Sequence, residues 1–192
     1  MQINEDLVNR LFKYTDINEH YPLLFSISEQ CDSIVELGGI SRFETSWIFA
    51  LSNPKSLITV DPDPSCVTTD HFKELNKYCH NNGVNHSHQI SDTRTVCFEP
   101  TDLLFIDSIH TADHVKAELL AHSFYVNKYI ILHDTSVYGE FGEYGVTIGG
   151  IFNRVPGIKI GINEFLQVDN SWKIIYEYGH NNGLTVLARI SK

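Results

Sequence analysis

Polar residues able to act as acids, bases or hydrogen-bond partners recur where apolar runs end in this chain: Glu36 to Ser41, Asp61, Ser91-Asp92, Asp107 to His110, and His133-Asp134. Carboxylates and imidazoles are costly beside apolar neighbours unless they find a partner or a ligand. Their repetition at run after run argues for one shared site. Gly38 and Gly39 have no Cβ to hold a ligand away from the backbone, and an acid such as Asp61 can accept hydrogen bonds from ribose hydroxyls. Together these are the chemistry of nucleoside recognition. The stretch reads Glu36-Leu-Gly-Gly-Ile-Ser-Arg42, without the GxGxxG spacing that seats a pyrophosphate. A nucleoside cofactor lacking phosphates fits it better.

Each of these residues also has a purely structural use. Asp107 could cap the helix that follows it, and Asp61 could open a turn with Pro62. The company of His110 and Asp134 favours function for Asp107, and the strand-end position favours ribose binding for Asp61. His133 is balanced between ligand or substrate contact and a hydrogen bond to backbone. Glu36 interrupts an apolar run and must have a partner. His86 and His88 alternate as on an exposed strand face, with no third ligand close in sequence. Trp47, Phe49, Phe105 and Trp172 have core spacing, whereas Tyr138, Phe141 and Tyr144 fall in a glycine-rich stretch suited to a lid.

The elements that must position these groups follow from periodicity. Amphipathic segments Asn4 to Lys13 and Tyr21 to Gln30 form an N-terminal helical cap over residues 1–30. Strands are expected at Ser33 to Leu37, Ser56 to Val60, Asn85 to Ile90, Asp102 to Ile106 and Tyr129 to Leu132. Helices are expected between them at Phe43 to Leu51, Cys66 to Cys79 and Ala112 to Phe124. Strands alternating with helices need crossovers, which gives an α/β class: a Rossmann-like parallel sheet with helices on both faces. Residues 139–150 read as a mobile loop, and a helix follows around Ile158 to Leu166. Trp172 to Tyr178 and Leu184 to Ile190 then form a C-terminal antiparallel β-hairpin.

The 192 residues fit one domain, 1–192, with a proper core. A net charge of -10 speaks against general binding to a nucleic-acid backbone, which relies on Lys and Arg. Cys31, Cys66, Cys79 and Cys97 are widely spaced and form no CxxC pair, so buried free thiols are expected. The apolar runs are too short to cross a bilayer and the first residues do not resemble a signal peptide, so a cytoplasmic protein is expected. A homo-oligomer is compatible with all of this.

The segments IVELGGISRFETS, VDPDP, DLLFIDSIHTADHVKAEL and YIILHDT resemble the class I S-adenosylmethionine-dependent methyltransferases. The likeness is greatest to the group containing sugar O-methyltransferases and cephalosporin hydroxylase-like proteins, and it covers roughly residues 30–190. Its most specific part is the Asp107-x-x-His110 spacing with Val115-Lys116 in register. The resemblance implies S-adenosylmethionine held by Glu36, Gly38, Asp61 and Asp107, with Ser91 and Asp92 beside the adenine. It also implies Mg²⁺ or another divalent cation on Asp107, His133 and Asp134, and His110 as general base toward a small-molecule or sugar hydroxyl. The chain departs from the pattern at Arg42 and Glu44, where relatives carry a small residue. Two other functions are therefore carried forward: a non-catalytic binding protein of this fold, and a metal-dependent hydrolase using Asp107, His110, His133 and Asp134 directly.

Overall fold

The computed structural model describes residues 15–39, 43–148 and 151–190. In chain order its elements are α1 (Tyr21–Ser28), β1 (Ser33–Gly38), α2 (Glu44–Leu51), β2 (Ser56–Asp61), α3 (Asp70–Asn82), β3 (Asn85–Ile90), β4 (Thr101–Asp107), α4 (Ala112–His122), β5 (Val126–His133), β6 (Phe141–Ile148), β7 (Ile151–Pro156), α5 (Ile158–Val168), β8 (Trp172–Tyr178) and β9 (Leu184–Arg189). The expected segment Asn4 to Lys13 lies outside the described residues. Among the described residues, no helix is long and apolar enough to cross a membrane.

The main sheet runs β3-β2-β1-β4-β5-β9-β8. Its first five strands are parallel and β9 is antiparallel to both β5 and β8, so the expected α/β class with a closing hairpin is observed. Helices cover both faces. On one, Leu24 of α1, Phe49 of α2 and Leu75 of α3 pack with Phe105; on the other, Leu119 of α4 and Phe165 of α5 pack with Leu104. Successive strand residues point to opposite faces, which is why neighbours in β4 join different clusters. The chain winds outward from β1 to β3 and then returns to lay β4 on the other side of β1. That reversal opens a crevice between the carboxyl ends of β1 and β4.

Three expectations need correction. Residues 139–150 are not a loop throughout: β6 and β7 pair as a separate two-stranded antiparallel sheet. The glycines there serve close packing, since a Cβ on Gly142 would come within 2.9 Å of the His110 carbonyl oxygen and one on Gly145 within 2.4 Å of that of Asn153. Cys31, Cys66 and Cys79 are buried, but Cys97 is exposed. His86 and His88 are not on an exposed face. They turn under α3, where both rings pack on Phe72 and both approach the Thr59 hydroxyl. Burial pushes His86 down to about 4 and lowers His88 as well.

The expected helix from Cys66 to Cys79 is interrupted by its own cap. A 3-10 turn spans Cys66–Thr68, and Thr69 then takes an extended conformation. Its hydroxyl accepts the Phe72 N–H at 3.1 Å and starts α3, which ends at the left-handed Gly83. Thr69→Ala should therefore cost about 1 kcal/mol, read as a lower urea midpoint with an unchanged slope. An unchanged midpoint would show that the cap contributes nothing.

Candidate functional site

The tips of β1, β2 and β4 enclose a cavity of about 290 Å³ lined by Gly38, Gly39, Asp61, Asp92, Arg94 and Asp107, among others. Gly38 and Gly39 adopt φ +74° and +68°, a region that disfavours side chains. Space forbids them too: a Cβ on Gly38 would fall 2.3 Å from the Asp107 carbonyl oxygen, and one on Gly39 would fall 2.7 Å from Asp107 Oδ2. The glycines thus answer first to the neighbouring strand and only then to any ligand.

Asp61 lines the cavity while its Oδ1 accepts the Asp63 N–H at 2.8 Å, so the turn role and the site role coexist. Asp92 also lines it, and there its carboxylate meets the Arg94 guanidinium through two contacts of 3.0 and 2.6 Å, which hold it well below the usual carboxylate range. Ser91 donates its N–H to the Asp61 carbonyl but lies outside the cavity wall. Residues 40–42, including the departure at Arg42, are outside the described set. Glu44 opens α2.

Glu36 is fully buried and does not line the cavity; its two oxygens accept hydrogen bonds from Thr45 and Ser46 in the first turn of α2. The partner its sequence position demands is therefore a helix start. Burial pushes this carboxyl up to about 7 against the pull of the Ser46 and Thr45 hydroxyls.

On the far side of Asp107 lies a second group. His110 Nε2 is 3.2 Å from Asp107 Oδ1 and 3.1 Å from Asp134 Oδ2, while Nδ1 is 3.1 Å from Glu143 Oε2 on β6. The Tyr138 ring stacks on this imidazole at 4.9 Å, with planes 9° apart. His133 sits behind, 2% exposed: its Nε2 faces the Asp16 and Asn181 carbonyls at 3.0 and 3.4 Å, and its Nδ1 is 3.5 Å from both Asp107 Oδ1 and Asp134 Oδ1. Both readings of His133 thus find an atom, one nitrogen toward backbone and one toward carboxylates. Asp134 has φ 59°, an unusual left-handed aspartate. The β8–β9 turn holds this loop, with Asn182 O accepting from the N–H groups of Ser136 and Val137.

The electrostatics follow from this crowding. Burial opposes ionisation of Asp107, yet the imidazoles of His110 and His133 hold it well below its ordinary value. Burial likewise opposes charge on the two histidines, but the carboxylates raise His110 and push His133 up to about 9. Burial raises Asp134 against the pull of His133. Asp107, His110 and Asp134 each offer a ligand atom, all within 4.8 Å of one another, and the buried Asp134 Oδ1 has no hydrogen-bond partner. An oxygen-rich cluster with an orphaned carboxylate oxygen suits a divalent cation.

Sequence reasoning missed three sets of contributors. Glu143 is far from His110 in the chain and no spacing links them. Thr45 and Ser46 read as ordinary helix residues. His114 lines the cavity with the fully buried Glu118 behind it, 3.2 Å away and in turn bonded to the Ser108 hydroxyl at 2.6 Å. Their i, i+4 spacing on one helix was the available signal.

Comparison with known protein families and with curated proteins finds no match to this chain. Solved structures do match. An O-methyltransferase from Bacillus cereus in complex with SAH aligns at TM-score 0.66 and 13% identity, covering 98% of this chain and 93% of that one. The O-methyltransferase TomG from Streptomyces achromogenes, in complex with SAM, aligns at TM-score 0.63 and 14% identity over 99% and 92%. Magnesium protoporphyrin IX methyltransferase from Synechocystis, with bound SAH, aligns at 0.61 and 14% over 96% and 93%. This chain shares the fold of these methyltransferases.

The buried Glu36 yields a stability test. Its pKa is higher folded than unfolded, so its contribution is full at acid pH and is lost as pH rises from about 4.5 to about 7. Glu36→Gln should remove that loss: about 2 to 3 kcal/mol more stable than the parent at alkaline pH and little changed at pH near 4, in paired denaturant titrations. A variant no more stable at alkaline pH would mean that Thr45 and Ser46 already satisfy the charge.

Proposed function

We propose that this chain, with its methyltransferase fold, is an S-adenosylmethionine-dependent O-methyltransferase acting with a divalent cation on a small-molecule or sugar hydroxyl. The observation that carries the reading is the position of Asp107. It forms a wall of the strand-tip cavity and is at the same time 3.2 Å from the His110 imidazole. A cofactor site and an acid-base group thereby share one residue. The methyltransferase neighbours solved with SAH or SAM support the cofactor class.

In this reading Gly38 and Gly39 let the cofactor lie against the backbone, Asp61 accepts from the ribose hydroxyls, and Asp92 borders the adenine. Glu36 ties β1 to the first turn of α2 through Thr45 and Ser46. S-adenosylmethionine, when bound, supplies an electrophilic methyl group. A cation, when bound, supplies positive charge that makes an acceptor hydroxyl more acidic. Asp107 and Asp134 are the residues that would hold it, with His133 Nδ1 facing both carboxylates. His110 takes the acceptor proton at Nε2, and Tyr138 keeps its ring in plane. Holding both reactants in register supplies much of the acceleration.

Calorimetry with S-adenosylhomocysteine should show binding that Asp61→Asn weakens by roughly tenfold or more, the loss of one ribose hydrogen bond to a charged acceptor. No binding at millimolar ligand would remove the reading. In a second titration Mn²⁺ should bind the parent and lose that binding in Asp134→Asn. Ion binding in a protein that ignores S-adenosylhomocysteine would favour the hydrolase instead.

A further inference from the structure

The strand-tip cavity is lined from two directions. Gly38, Gly39 and Asp61 come from β1 and β2, whereas Asp92 and Thr93 come from the connection after β3 and His114 from the first turn of α4. Thr93 Oγ1 lies 3.1 Å from His114 Nε2, which ties that connection to α4. With the ribose on Asp61, the base of the nucleoside meets this second group. Asp92 is the obvious acceptor there, but Arg94 already occupies it. Asp92 Oδ1 accepts the Arg94 backbone N–H at 2.9 Å and the Nε–H at 3.0 Å, and Oδ2 accepts from Nη2 at 2.6 Å. Its charge is neutralised within its own loop.

His114 is held differently. Its Nε2 is 3.2 Å from Oε1 of Glu118, a side chain with no exposure, and the same oxygen accepts the Ser108 hydroxyl at 2.6 Å. Glu118 Oε2 is buried without a hydrogen-bond partner. A carboxylate so placed costs stability that a packed apolar residue would not, so its use lies in what it does to the imidazole. An ionised carboxylate only accepts, so the nitrogen facing Glu118 carries a proton, which the Thr93 oxygen can share. In the neutral ring the lone pair then belongs to Nδ1, and among the described residues Nδ1 has no hydrogen bond or ion pair. We infer that His114 is a specificity-determining residue for the nucleoside base: its Nδ1 accepts the exocyclic amine of adenine, while Glu118 positions the ring by fixing the proton on Nε2. This rests on the reading of the cavity as an S-adenosylmethionine site and deepens it. A base with a carbonyl oxygen in place of that amine sets two acceptors against each other and is rejected.

Calorimetry of the full chain in alkaline buffer, with S-adenosylhomocysteine and with S-inosylhomocysteine, tests the assignment, because the second ligand replaces the amine by a carbonyl. The parent should bind the adenosyl ligand roughly tenfold or more tightly than the inosyl one. His114→Phe keeps a flat ring without nitrogen and should bring the two affinities to within about twofold. His114→Leu gives the same comparison if phenylalanine distorts the cavity, and Asp92→Asn should keep the parent's preference. A histidine with only a structural role would weaken both ligands alike and leave their ratio unchanged. Equal binding of the two ligands by the parent, a preference that survives in both His114 variants, or one that disappears with Asp92→Asn alone would overturn the inference while leaving the cofactor reading standing. Binding of neither ligand would remove the cofactor reading and this inference with it.

Discussion

The site is built on a tight backbone meeting: the end of β1 runs so near the Asp107–Ser108 segment that Gly38 has no room for even a methyl group. Adjacent parallel strands of opposite winding direction create this meeting, and it fixes the crevice to one place. From it the rest follows. Asp107 is held rigidly with one side toward the cavity, its neighbour Ser108 reaches the buried Glu118, and the next turn presents His110. A larger residue at 38 would displace the segment that all of these share.

The charged cluster shows how the protein tolerates several acids in a largely buried place. Asp107 and Asp134 face one another across His110, and His133 closes the ring from the core side. Paired carboxylates and imidazoles offset each other's desolvation, whereas removing one partner strands the rest. Asp134 further depends on the β8–β9 turn, where Gly183 (φ +95°) leaves no space for a Cβ beside Ser136. The antiparallel end of the sheet is therefore a support of the site as well as an edge cover.

How much of this was legible in the sequence depended on the range of the interaction. Four of the five parallel strands announced themselves through apolar runs closed by Gly, Asp or His-Asp, β3 gave only a short, weak signal in Asn85 to Ile90, and β8 showed through its β-rich composition. The acids at the strand ends were visible for the same reason. Contacts across the chain were not: nothing around Glu143 ties it to His110, and Thr45 and Ser46 gave no hint of Glu36. The β6–β7 hairpin was hidden because Gly142 and Gly145 dilute its pattern and look like flexibility, when each permits a tight approach. His86 and His88 alternate as surface residues do, and only the seat of α3 over β3 turns them inward.

Strand β9 lies between β5 and β8, and the turn preceding it accepts hydrogen bonds from the Asp134 loop and touches His133. In synthesis those residues follow β1 to β5. Until they emerge from the ribosome, the outer edge of β5 has no neighbour and the loop carrying Asp134 has no clamp, although β1 to β5 are already made. A growing chain therefore carries an open sheet edge until β9 has been made, and the Asp134 loop gains its clamp only when that strand slots between β5 and β8.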